Sequence, residues 1–194
     1  MTGELITPSD ALEMLSSMYL CKPSGEAVEY WKAALSTNAS IFLYDLTEAV
    51  SEIDTSSKHE LDELLWEYTR LFIGPYKLPC PPWESVYTSP KRLMMQDAAE
   101  QVMNFYREAG LVVNSADAMP DHIGIELNFL ALLLRKSKSG GEAVQKTELI
   151  YDFINDHLVK WVPDFTRDME NASETRFYRT LAGTTRNLVD FFGR

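Results

Sequence analysis

Between Gly74 and Pro90 the chain carries five of its nine prolines: Pro75, Pro79, Pro81, Pro82 and Pro90. Proline fixes φ and removes a backbone donor, so this stretch can form neither a helix interior nor a central strand. It is a long loop, and long loops inside compact domains are functional or disordered. Its aromatics, Tyr76, Trp83 and Tyr87, argue against disorder. Two readings follow. The loop is a proline-stiffened connection whose aromatics cap the core, or it is a rigid surface presenting Tyr76, Trp83 and Tyr87 beside Glu84 for recognition.

On either side of the loop the apolar residues recur at helical spacing. Thr7-Pro8-Ser9-Asp10 has the cap, first-position proline and acid of a helix start. Leu12, Leu15 and Tyr19 follow on one face. Lys22–Gly25 breaks that helix, Val28, Trp31 and Leu35 mark a second, and Phe42, Leu46, Ala49, Val50 and Ile53 a third. Ser57-Lys58-His59-Glu60 reads as a capping box for a fourth, carrying Leu61, Leu64, Leu65, Tyr68, Leu71 and Phe72 and stopping at Gly74-Pro75. Ser89-Pro90 predicts a restart, with Gly110 as the residue just past the helix end. Residues 111–120 read as a connector. Pro120-Asp121 then opens the most apolar helix, through Ile123, Leu127, Leu130 and Leu134, ending in an exposed loop over 135–141. A further helix spans about 142–160, Trp161-Val162-Pro163-Asp164 interrupts, and Ser173 is the expected cap of the last helix.

No stretch alternates long enough to be a strand. The expectation is an all-α fold of about eight to ten helices, one compact domain over 1–194. It divides into lobes at 1–110 and 121–194, joined by a hinge at 111–120. Hydrophobic residues make up 45% of the 194, enough for a core without disulfide or metal staples. A net charge of −11 opposes binding to nucleic acid or an anionic membrane and suits a basic peptide. Cys21 and Cys80 form no motif, no secretory leader is visible, and the apolar run Leu127–Leu134 is too short to cross a bilayer. The expected location is therefore the cytoplasm.

Nothing in the residues looks catalytic. His59, His122 and His157 are scattered, and zinc, phosphate-loop, dinucleotide and nucleophile-elbow patterns are absent. We therefore expect no enzyme activity, no cofactor and no metal. One polar cluster breaks an apolar helix: Asp121, His122 and Glu126, the last two on one face. Either Asp121 caps the helix beside a local His–Glu pair, or the cluster is an acidic patch that holds a guanidinium.

The stretches Tyr68, Arg70-Leu71-Phe72, Gly74-Pro75 and Pro82-Trp83-Glu84-Ser85-Val86-Tyr87 resemble the first signature of the TorD/DmsD family of redox-enzyme maturation chaperones. Pro120–Leu127 resembles the second signature, and His157, Trp161, Pro163 and Phe165 a weaker third. The resemblance implies an all-helical chaperone, not an enzyme. Its partners would be the twin-arginine signal peptide and the apo form of a molybdoenzyme reductase of the dimethyl sulfoxide or trimethylamine N-oxide type. The export translocase is a further candidate partner, and the state is monomer or dimer. The chaperone would hold the client in the cytoplasm for cofactor insertion before export. Peptide binding carries over to Phe72, Pro82, Trp83, Glu84, Tyr87, Asp121, His122 and Glu126. No nucleotide motif supports carrying over GTP binding. The alternatives are an assembly chaperone of the nitrate-reductase type and a metal-binding helical protein.

Overall fold

The structure is a computed structural model describing residues 7–36, 41–75, 77–111, 119–137 and 143–193. The fold is all-α. Helix α1 (Pro8–Leu20) starts where its sequence predicts: Thr7 accepts from the Asp10 N–H, and the Asp10 side chain accepts from the Thr7 N–H. Helices α2 (Gly25–Ser36), α3 (Tyr44–Ser51) and α4 (Lys58–Tyr68) follow. Ser57 caps α4, but the Glu60 carboxylate accepts from Asp54 N–H and so does not close a box onto Ser57. A π turn, Thr69–Ile73, carries α4 up to Gly74, whose φ of 99° ends it.

The proline-rich loop hides a short helix, α5 (Glu84–Thr88). No helix restarts at Ser89-Pro90. Arg92 and Met95 adopt left-handed backbone there, at φ 52° and 56°, and α6 (Asp97–Glu108) begins only after them. Gly110, at φ 68°, follows the end of α6 as expected. Most of the expected hinge, 112–118, and Tyr76 lie outside the described residues. Helix α7 (Ile123–Ser137) runs through Arg135, Lys136 and Ser137, which the sequence reading placed in a loop. Arg135 stays helical and pairs with Asp10 and Glu13 of α1; 138–141 lie outside the described residues.

Helix α8 (Ala143–Phe153) passes through a second π turn, Ile154–Leu158, into α9 (Val159–Ala172). Pro163 sits inside α9 and does not interrupt it. Proline costs a helix interior about 3 kcal/mol. Trp161, Val162 and Phe165 are all fully buried around it, and their burial offsets that cost. Ser173 ends α9, and Thr175, not Ser173, caps α10 (Arg176–Phe192) by accepting from Tyr178 N–H.

Helix α1 lies along α7, α10 packs on α9 and α3, and α5 sits between α9 and α6. One continuous core runs through these interfaces, with Trp31, Trp161, Tyr19, Tyr106 and Tyr178 fully buried. Ser16 of α1 donates to the Gly124 carbonyl of α7 at 2.6 Å. At Gly124 a Cβ would lie 2.6 Å from Leu20 Cγ, so glycine lets the two helices approach.

Glu67 is 1% exposed and ties α4 to the start of α10. Its carboxylate accepts from the N–H groups of Glu174 (2.5 Å) and Thr175 (3.0 Å) and pairs with Arg70 at 3.3 Å. Removing one side of a buried charged network typically costs 3–5 kcal/mol. Urea unfolding of Glu67→Ala is expected to show a loss of about 3 kcal/mol or more. Exposed Glu63→Ala should change stability by no more than about 0.5 kcal/mol.

Candidate functional site

Two sequence stretches that share no local contact meet at one edge. Glu84 N–H donates to the Asp121 carbonyl at 2.9 Å, and Ile123 N–H donates to the Pro82 carbonyl at 2.9 Å. These two bonds make an isolated antiparallel bridge between Trp83 and His122. Both partners sit just before a helix, α5 and α7, and the bridge fixes the two helix starts against each other. The rings of Trp83 and His122 meet edge to face, 6.1 Å between centroids. Both are half-buried.

Behind this pair lies a closed polar cluster. Asp121 is fully buried, and its Oδ2 accepts from Ser85 N–H at 3.0 Å. It therefore caps α5, a helix 36 residues away in sequence. Glu84, 2% exposed, meets His157 Nδ1 at 2.7 Å. Glu126, fully buried, accepts from the Trp161 indole N–H at 3.1 Å. His122 does not pair with Glu126 as the four-residue spacing suggested. Its Nδ1 instead accepts from Gly124 N–H at 3.1 Å, which needs that nitrogen unprotonated. Burial pushes the His122 imidazole down to about 4, which agrees with that hydrogen bond.

Burial raises the Glu126 carboxyl well above the usual carboxylate range, and the neighbouring charge of Glu84 adds to the shift. Asp121 Oδ1, Glu126 Oε1 and Ser85 Oγ are buried and have no hydrogen-bond partner among the described residues. None of the groups of His, Cys, Asp and Glu among the described residues is arranged to hold a metal ion.

The remaining expected site residues divide by accessibility. Phe72 is 3% exposed and belongs to the core, edge-on to Tyr19, Tyr68 and Tyr178. Pro82 is buried at the bridge. Tyr87 is half-buried, 5.6 Å from the Trp161 ring, with the Arg92 guanidinium 5.0 Å from its ring centroid. Of the eight expected residues, then, Trp83, His122 and Tyr87 reach the surface, while Phe72, Pro82, Glu84, Asp121 and Glu126 stand behind them. His157 and Trp161 join the same cluster from the second π turn and α9. Only the resemblance to the third signature drew attention to them.

The surface beside Trp83 opens into a groove of about 1010 Å³, walled by Leu78, Pro79, Pro81, Val86 and Met94. Leu93, Met94 and Met95 expose 49%, 38% and 68% of their surface next to it. Methionine-rich surfaces adapt to varied apolar ligands.

A family model described as nitrate reductase delta subunit matches residues 26–167. The chain is 29% identical over 117 residues to a probable Tat proofreading chaperone, DmsD, of Haemophilus influenzae, covering 60% of this chain and 53% of that one. It is 30% identical over 141 residues to the Tat proofreading chaperone DmsD of Salmonella typhi, covering 72% and 65%. It is 26% identical over 141 residues to the chaperone protein TorD of Vibrio parahaemolyticus, covering 71% and 65%. The matches thus span between about half and two-thirds of these relatives. A redox enzyme maturation protein of Archaeoglobus fulgidus shares the fold, with a TM-score of 0.67 at 21% identity over 98% of this chain and 96% of the other.

The raised Glu126 carboxyl has a consequence for stability. The folded chain keeps a proton there that the unfolded chain releases above the ordinary carboxylate range. Stability therefore falls as pH rises from about 4.5 towards the folded pKa, with a limiting slope of about 1.4 kcal/mol per pH unit for one proton. Glu126→Gln keeps an acceptor for Trp161 and removes the titration. Urea unfolding at several pH values should give the variant a flatter decline between about pH 5 and pH 7. Equal slopes for both proteins would show that the folded chain holds no extra proton at Glu126 in that range.

Proposed function

The chain belongs to the nitrate reductase delta subunit family, and we propose that it is a cytoplasmic chaperone for a molybdoenzyme reductase. It binds the client's twin-arginine signal peptide and holds the apoenzyme for cofactor insertion before export. The observation that carries this reading is the bridge between Trp83 and His122. It joins the two signature stretches into one edge, leaves both rings partly open, and sets them beside a groove whose wall mixes Leu78, Pro81, Val86 and Met94 with charged side chains. A rigid tryptophan anchor beside an adaptable apolar surface suits capture of an apolar peptide segment.

The names of the relatives support the chaperone reading, since they are Tat proofreading chaperones and a chaperone protein. None of the described helices is long and apolar enough to cross a membrane. The contact set is Trp83, His122 and Tyr87 directly. Pro82, Glu84, Asp121 and Glu126 hold those rings in place, with Phe72 in the core behind them. The family description also supports a second reading, an assembly chaperone of the nitrate-reductase type. A client peptide lacking the arginine pair separates the two, because only the first reading makes the pair matter.

Calorimetry with a synthetic peptide of two adjacent arginines followed by an apolar run tests the proposal. The unmutated chain should bind it saturably. Trp83→Ala should bind about 30-fold more weakly, the equivalent of the roughly 2 kcal/mol typical of a tryptophan anchor, with an unchanged helical spectrum. Normal binding by the variant would move the site away from Trp83. The chain's charge of −11 adds a kinetic expectation. The association rate should fall with added salt while the dissociation rate changes less. A salt-independent association rate would leave apolar capture alone as the driving force.

A further inference from the structure

The groove beside Trp83 does not end there. Lys77 and Pro79 also wall a second cavity of about 390 Å³, lined by Trp66, Arg70 and Pro75. Trp66 in turn walls a third, of about 550 Å³, together with Asp62, Glu63, Glu67 and Glu174. Three cavities thus share walls in a row from Trp83 to Trp66. Arg70 links them, reaching Glu67 and Glu174 at 3.3 and 3.4 Å and donating to the Ala172 carbonyl at 2.8 Å.

The row is electrically polarised. Four carboxylates, one of them the buried Glu67, line the Trp66 end with His59, which lies 3.6 Å from Glu63, and they face the guanidinium of Arg70. Lys77, Lys91 and Arg92 line the Trp83 end, against Asp168. Among the described residues neither Lys77 nor Lys91 has an ion-pair partner, while Arg92 lies 3.6 Å from Asp168. In a chain of net charge −11, cations gathered at one end of a groove turn away a basic segment there. The other end accepts it. Trp66 is 56% exposed, and its ring already carries the Arg70 guanidinium 5.2 Å from its centroid, so this indole serves as a platform for planar cations. The buried acids near Trp83 offer no alternative, because Asp121 and Glu126 are closed to solvent.

Resting on the chaperone reading, we propose that the groove from Trp66 to Trp83 holds one extended peptide in a single direction, its arginine pair among Asp62, Glu63 and Trp66 and its following apolar run over Trp83. Charge complementarity selects the occupant, since a peptide cationic at one end and apolar along the rest matches the order of the walls. The lysines at the far end set the direction by repulsion.

Asp62 and Glu63 are exposed, so Asp62→Lys with Glu63→Lys leaves the core and the Trp83 edge untouched. Calorimetry is expected to show at least tenfold weaker binding of the two-arginine peptide to this variant. A control peptide with both arginines replaced by glutamine should bind the two proteins within twofold of each other. Direction is read by NMR on the unmutated chain. A nitroxide beside the arginines should broaden the Trp66 indole signal, and one at the apolar end should broaden that of Trp83. A charge-reversed variant that binds the two-arginine peptide as well as the unmutated chain, or broadening in the opposite order, overturns the direction while leaving the chaperone reading intact. Absence of any binding by the unmutated chain overturns both.

Discussion

The structure depends on the two backbone hydrogen bonds that pair residues 82–84 with 121–123. Without them the proline loop would have no fixed position relative to α7, since its prolines supply no donors of their own. With them, Asp121 is carried into a fully buried position where one carboxylate oxygen caps α5. Glu84 is carried onto His157, and Glu126 faces both Glu84 and Trp161. A cluster of three acids in one closed volume is costly, because each charge loses its hydration. The chain lowers that cost by raising the Glu126 carboxyl, which accepts from the Trp161 N–H, by setting His157 on Glu84 and by donating the Ser85 N–H to Asp121. The result is a polar staple joining the loop, α7 and α9, with the Trp83 and His122 rings fixed on its outer side.

The helices were legible because their cause is local. Apolar spacing and caps such as Thr7 and Ser57 act over a few residues, and the structure has helices where those signals lie. The misreadings have long-range causes. Pro163 was read as a break because its intrinsic cost is local, while the burial of Trp161, Val162 and Phe165 that outweighs it is tertiary. Ser89-Pro90 carries a good start signal, yet the left-handed backbone of Arg92 and Met95 delays α6. At the site, Asp121 was legible as a cap, but spacing suggests its own helix. Its actual target, Ser85 N–H, is visible only once the loop is folded against α7. The Glu84–His157 contact spans 73 residues and leaves no spacing signal at all.

The same burial separates two roles that sequence reading merges. Phe72 sits in a signature motif beside functional residues, but its neighbours are Tyr19, Tyr68 and Tyr178 in the core. Its contribution is to hold the π turn Thr69–Ile73 against the body of the fold. That turn shifts the register of α4 by an extra residue just before Gly74, where the chain must leave the helix and begin the groove wall. Aromatic packing inside and proline stiffening outside thus act on the same short segment from opposite sides.

Acidity therefore has two unlike distributions in this chain. Glu84, Asp121 and Glu126 are inside, each bonded to a neighbour through one oxygen, and a ligand guanidinium would reach them only by opening the packing that closes them to solvent. Asp62, Glu63 and Glu174 are outside, hydrated, and arranged on an open wall beside an exposed indole. A cation arriving at the outer set loses little of its own hydration, whereas entry to the inner set would strip it. On the proposed reading, the inner acids serve as scaffold and the outer ones as the recognition wall.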